Sequence, residues 1–125
     1  VTEFLDLEDA LEAARALGAG EVRDLGLLGS ALHRPQAAMF GQEAYPALHE
    51  KAAALLESLV RNHPMVDGNK RLGWTLTKVF YRLNGHDLAA PHGPAFDLVM
   101  STAAGRLELT DIARALASWA VPVED

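Results

Sequence analysis

The chain contains no cysteine, which excludes disulfide frameworks, thiolate nucleophiles and thiolate metal sites together. That absence suits a reducing compartment. No stretch approaches the roughly 20 consecutive apolar residues of a membrane span, and the opening VTEFLDLED is acidic where a secretory leader would be basic. A soluble cytoplasmic protein without a membrane partner is expected. Positive charge is also scarce: 11 Lys+Arg stand against 17 Asp+Glu, a net charge of −6. Direct, non-specific attraction to nucleic acid is therefore not expected, and any phosphate site has to be local. Period-two alternation, internal repeats and linker-like segments are missing too. The 125 residues read as one all-α domain spanning 1–125, large enough to bury a core without staples.

What is present is helical punctuation. Leu7, Leu11, Ala14 and Leu17 recur at helical spacing, with Asp6 placed to cap in front and Gly18 to terminate behind. A shorter apolar run covers Leu25 to Leu32. Residues 34–46, RPQAAMFGQEAYP, break the periodicity with two prolines and a glycine and are expected to form an exposed loop or short hairpin. Leu48, Ala52, Leu55, Leu56 and Leu59 form one apolar stripe, and Leu72, Leu76, Val79, Phe80 and Leu83 form another; these predict the two central helices. Asn84-Gly85 stops the second, Pro91 to Pro94 reads as loop, and two further helices are expected near 95–104 and 109–119. The total is about six helices.

Between the central stripes lies RNHPMVDGNKRLGW, residues 61–74. It turns through Pro64 and Gly68 and opens a helix near Asn69 or Lys70. A helix N-terminus offers unpaired N–H groups and a partial positive charge, so it attracts anions, and a glycine lets a phosphate come close. Lys70 and Arg71 add charge, the Asn69 amide can orient phosphate oxygens, and Asp67 supplies the hard oxygen that Mg²⁺ prefers. His63 can accept a proton at neutral pH. Taken singly, each has an ordinary explanation: Asp67 or Asn69 as a helix cap, Lys70 and Arg71 as solvated charge, His63 as a loop residue. Together the residues point to a phosphate-handling site with a general base.

HPMVDGNKR is similar to the signature of the Fic/Doc family, H-x-F-x-D/E-G-N-G-R-x-x-R in its Fic enzymes and H-x-F-x-D/N-A/G-N-K-R in its Doc (death-on-curing) toxins. LGLLGSALHRPQ, LHEKAAALLESLVRNHP and FYRLNGHDL extend the resemblance over most of the chain. Lys70 stands where AMP-transferring relatives have glycine, and Trp74 where they have a second arginine; both departures are Doc-like. The resemblance implies a helical Fic/Doc fold, with the site loop between two central helices. It implies His63 as catalytic base, Gly68, Asn69, Lys70 and Arg71 on the nucleotide phosphates, and Asp67 on Mg²⁺. The implied activity is transfer of the γ-phosphoryl group of ATP to a threonine of elongation factor Tu, arresting translation, with a Phd-like antitoxin as partner. An AMP-transferring enzyme and a catalytically weak module that mainly binds its antitoxin are the alternatives. The family's usual aromatic is Met65 here, a more flexible residue of similar bulk, expected to remain in the core and loosen the loop.

In the family, target segments dock along a flap, and RPQAAMFGQEAYP lies where that flap should be. The self-inhibitory S/T-x-x-x-E-G/N pattern of other Fic proteins is absent, since no Ser or Thr has a glutamate four residues on; inhibition in trans is expected. His86-Asp87 could suggest a metal phosphohydrolase, but it follows a helix stop instead of sitting in a helical register that converges on a metal. GNK lacks the first glycine and the hydroxyl residue of a P-loop. His33, His49 and His92 are expected at the surface, Trp119 in the core, and Trp74 in packing.

Overall fold

The computed structural model describes residues 1–124. It has helices α1 (Leu7–Leu17), α2 (Leu25–His33), α3 (Leu48–Asn62), α4 (Asn69–Leu83), α5 (His92–Ala103) and α6 (Leu109–Trp119), with a 3₁₀ turn at Arg34–Gln36. The all-α expectation holds in its essentials. Two short antiparallel ribbons are added. Strands β1 (Ala38–Met39) and β2 (Gln42–Glu43) form a hairpin, and β3 (His86–Leu88) pairs with β4 (Ala120–Pro122) in the register Asp87 opposite Val121. Strands of two or three residues are too short to carry an alternation, which is why the sequence pattern does not reveal them.

Helix α3 is the hub, packing against α2, α4, α5 and α6. Its buried residues run from Lys51 to Val60 with little interruption, as they must in a helix surrounded by partners. α4 crosses it closely at Gly73, where a Cβ would lie 2.7 Å from Val60 Cγ1. The buried face of α4 is Leu72, Leu76, Thr77, Phe80 and Tyr81, while Val79 and Leu83 are exposed. The predicted stripe was therefore too wide: those two residues lie outside the buried face.

The caps follow the sequence where side chains make them. Asp6 accepts the Asp9 N–H at 2.9 Å, and Asp24 accepts the Leu27 N–H at 3.0 Å. Residues Pro91 to Pro94 do not form the predicted loop. Pro91 is the N-cap of α5, and Pro94 sits in its first turn, where a missing N–H costs no intrahelical bond. The buried apolar side chains form one cluster, from Leu5 near the start through α3 and α4 to Leu116 in α6. No helix among the described residues is long and apolar enough to cross a membrane.

Candidate active site

Helix α3 ends at Asn62, and His63 follows as its C-cap in the left-handed region, with φ 51° and ψ 59°. The chain then turns inward. Pro64 and Met65 are buried, Val66 and Asp67 are exposed, and Gly68 is the N-cap of α4 with φ 78°. Met65 is 1% exposed and bridges to Val22 in the connector between α1 and α2, so this apolar residue does occupy the core.

The loop is tied on both flanks. From the connector, the N–H groups of Arg23 and Asp24 donate to Pro64 O at 2.8 and 3.0 Å, and Val66 N–H donates to Glu21 O at 2.9 Å. From α4, the Asn69 amide spans Met65: its Oδ1 accepts the Met65 N–H at 2.9 Å and its Nδ2 donates to Met65 O at 3.1 Å. Asn69 is buried, and its side chain closes the loop instead of standing free in the cleft. Gly68 has a different reason from the one its sequence context suggests. A Cβ there would meet Ala19 Cβ at 2.9 Å and Ala19 O at 3.0 Å, so the residue is small because the connector presses on it, and because φ is positive.

Asp67 Oδ1 accepts the Gly68 N–H at 2.7 Å. Neither Asp67 nor Asn69 caps α4, whose N-cap makes no side-chain hydrogen bond and whose first turn contains no acid. The first-turn N–H groups precede the Leu72 N–H to Gly68 O bond and carry the helix's positive end. His63, Asp67, Gly68, Asn69, Lys70 and Arg71 line a single cleft of about 300 Å³. All six residues singled out in the sequence thus come together, five through side chain or backbone at the surface and Asn69 mainly as a clamp. Arg71 also donates to Leu17 O at 3.3 Å, at the C-terminal end of α1.

Lys70 and Arg71 also border a second, mainly apolar groove of about 390 Å³, walled by Trp74, Phe96, Val99 and Met100. Trp74 meets Trp119 edge-on at 6.4 Å between ring centroids, so it packs and forms a groove wall at once. Its partner Trp119 is only half-buried, against the margin of the core.

The hairpin leads into α3 and is anchored along it. Arg34 holds its root, donating to the Tyr45 hydroxyl at 3.0 Å, to Glu57 at 2.9 Å and to Ser58 Oγ at 2.9 Å. Burial lowers the Arg34 pKa, and the hydrogen bonds to Glu57 and Tyr45 outweigh it, leaving a net rise. Buried Lys51 donates to the carbonyls of Tyr45 and Pro46, with the Glu43 carboxylate 3.4 Å away.

His33 and His92 lie at the surface as expected. His49 does not. It is half-buried, with Nδ1 2.8 Å from the Tyr81 hydroxyl. Burial, with His86 nearby, pulls its pKa down, and burial pushes the Tyr81 phenol up. Asp87 is paired with Arg82 at 2.7 Å. Among the described residues no group of three or more His, Asp or Glu is placed to hold a metal ion. A metal at Asp67 would therefore need its other ligands from a nucleotide and water, a donor set that fits Mg²⁺ beside phosphates. Sequence reasoning missed Arg23, Lys51 and Arg34. Their signals were weak: a lone cation before a helix cap, a lysine inside an apolar stripe and an arginine in a loop.

Two comparisons bear on this geometry. The sequence model of the Fic/DOC family matches residues 3–81, from before α1 nearly to the end of α4. The chain is also 47% identical over 128 aligned positions to a protein of Mycolicibacterium smegmatis named Toxin Doc, covering 99% of this chain and 98% of that one.

Proposed function

The chain belongs to the Fic/Doc family, and on that premise we propose that it is the toxin of a toxin–antitoxin pair, a protein kinase acting on translation. It moves the γ-phosphoryl group of ATP to a hydroxyl, expected to be a threonine of elongation factor Tu, and so arrests protein synthesis in the cytoplasm. The observation that carries this reading is the joint position of Lys70 and His63 on one cleft. On this reading the lysine, in place of the glycine of AMP-transferring relatives, occupies the space of a second phosphate and stabilises charge on the one phosphoryl group transferred.

The chemistry assigned to the chain is short. The His63 imidazole accepts the proton of the acceptor hydroxyl. The freed oxygen bonds to the γ-phosphorus, the bond to the β–γ bridging oxygen breaks, and ADP departs with that electron pair. Lys70 and Arg71, with the N–H groups of the first turn of α4, hold the phosphate oxygens and offset their charge. Asp67 is the residue that would hold Mg²⁺, which when bound neutralises charge on the phosphates. The hairpin is the surface for the target segment.

The relative's name, Toxin Doc, supports an antitoxin partner, taken here to be Phd-like. The exposed groove of Trp74, Phe96 and Met100 beside the cleft offers a surface on which such a partner could block the site. The alternative of a module without chemistry rests on Met65, which keeps a core position here; transfer from labelled ATP separates that alternative from a kinase.

A translation extract incubated with γ-labelled and with α-labelled ATP tests the reading. Transfer of the γ-label alone, with a phosphate-sized mass added to the target, is the expected result. Lys70→Gly should add some AMP-sized product, weak because Trp74 replaces the second arginine. An AMP adduct already formed by the parent protein overturns the kinase reading, and no label at all leaves only a binding role.

A further inference from the structure

His63 and Phe40 are the two non-glycine residues with positive φ among those described. Phe40 sits at a solvated hairpin tip, where a turn explains it. His63 ends a helix at the candidate site, and its left-handed backbone is strained for a side chain bearing a Cβ. Whatever holds that backbone also sets where the imidazole points.

Arg23 is outside the motif, in the connector between α1 and α2, and its side chain is exposed. Its Nε donates to His63 O at 2.8 Å and its Nη2 to Asn62 O at 3.1 Å. These are the carbonyls on either side of the strained residue's own backbone. They also lie at the C-terminal end of α3, where terminal carbonyls lack intrahelical donors and a cation is favoured. The backbone of the same connector binds Pro64 O and the Val66 N–H, but those bonds begin one residue too late to fix His63. Among the described residues, no other side chain donates to the His63 or Asn62 carbonyl. A planar guanidinium with two parallel donors suits two successive carbonyls.

We infer that Arg23 is a positioning residue for His63, holding its backbone left-handed from the connector so that the imidazole faces the cleft. The catalytic consequence rests on the kinase reading; the conformational one does not. Loss of the fork lets His63 sample right-handed or extended backbone while Met65 and Asn69 keep the rest of the loop in place.

The experiment compares parent and Arg23→Gln in two ways. Backbone NMR shifts and the HN–Hα coupling of His63 report its φ in the nucleotide-free protein, whatever reaction it performs. The variant is expected to move these values away from the left-handed range, with residues 52–59 and Met65 unchanged. Transfer from ATP should fall in kcat by about 10–100-fold, with KM for ATP within about twofold. In a His63→Ala background the same substitution should change the residual rate by less than about twofold, because a positioning residue has nothing left to position. A folded Arg23→Gln whose His63 keeps the parent's coupling overturns the inference, as does an equal loss of rate in both backgrounds. If Arg23→Gln fails to fold, Arg23→Lys asks the same question, since one ammonium cannot repeat the two-nitrogen fork. If the parent transfers nothing from ATP, the kinase reading fails while the NMR comparison still decides the role of Arg23.

Discussion

The motif loop, residues 62–68, and the hairpin, residues 37–46, follow and precede α3 in the chain and are held in opposite ways. The loop is fixed by main-chain hydrogen bonds to the connector, by the Asn69 clamp and by a buried Met65. The hairpin has four exposed strand residues and a tip in which Phe40 is 97% exposed. It stays in place through the side chains of Arg34 and Lys51 at its root. Main-chain bonds and burial leave little freedom, whereas anchoring only the root leaves the tip able to adapt. A base must be placed to a fraction of an ångström, while a surface that receives a protein partner gains from adjustable contacts. The difference in anchoring matches that division of labour.

The largest effect expected from breaking this contrast is chemical. His63→Ala removes an exposed imidazole without touching the bonds that hold the loop, so transfer should fall by about 10²–10⁴-fold with an unchanged melting transition. A folded mutant with the parent's rate would mean that the rigid loop positions something else.

Next comes a matched pair of glycines. Gly68 in the loop has φ 78° and Gly41 in the hairpin has φ 77°, but a Cβ would meet Ala19 at 2.9 Å in the first and nothing within 4 Å in the second. Gly68→Ala should cost about 2–4 kcal/mol, strain plus overpacking, and Gly41→Ala about 1–2 kcal/mol, strain alone. Equal losses in urea unfolding would erase the packing difference between the two segments.

Lys51→Met keeps the buried stem but leaves the Tyr45 and Pro46 carbonyls without their donor. A loss of about 1–3 kcal/mol is expected. Hydrogen exchange should show faster amides in residues 37–46 and unchanged ones in 62–68. Speeding in both segments would join two regions that the anchoring keeps separate. The smallest effect is at the tip. Phe40→Ser should shift stability by no more than about 0.5 kcal/mol, while raising KM for the protein acceptor and leaving KM for ATP alone. An unchanged acceptor KM would leave the tip without a recognition role.

Helices with a one-sided apolar stripe and a polar cap were legible in the sequence, as α1 with Asp6 and Gly18 illustrates. The errors share a cause. Val79 and Leu83 satisfy the helical period but lie outside the buried face, because the neighbours of a helix decide how wide that face is. Pro94 reads as a breaker until the chain before it supplies a helix start. The β3–β4 pairing joins residues more than thirty positions apart in the chain, and nothing local announces it. His49 lacked a partner in sequence because its partner, Tyr81, is 32 residues away.

The site divides along the same line. The sequence by itself determined which chemical groups are available, since His63, Asp67, Gly68, Asn69, Lys70 and Arg71 fall within nine consecutive positions and must share one turn and one helix start. It also determined the family, since the motif is local. Tertiary structure decided what each group is free to do. Asn69 is spent on Met65, Gly68 is small for the sake of Ala19, and the backbone of His63 is held by Arg23, 40 residues earlier. Those assignments rest on contacts between segments distant in the chain, and a local pattern of residues carries no record of which distant segment will press against it.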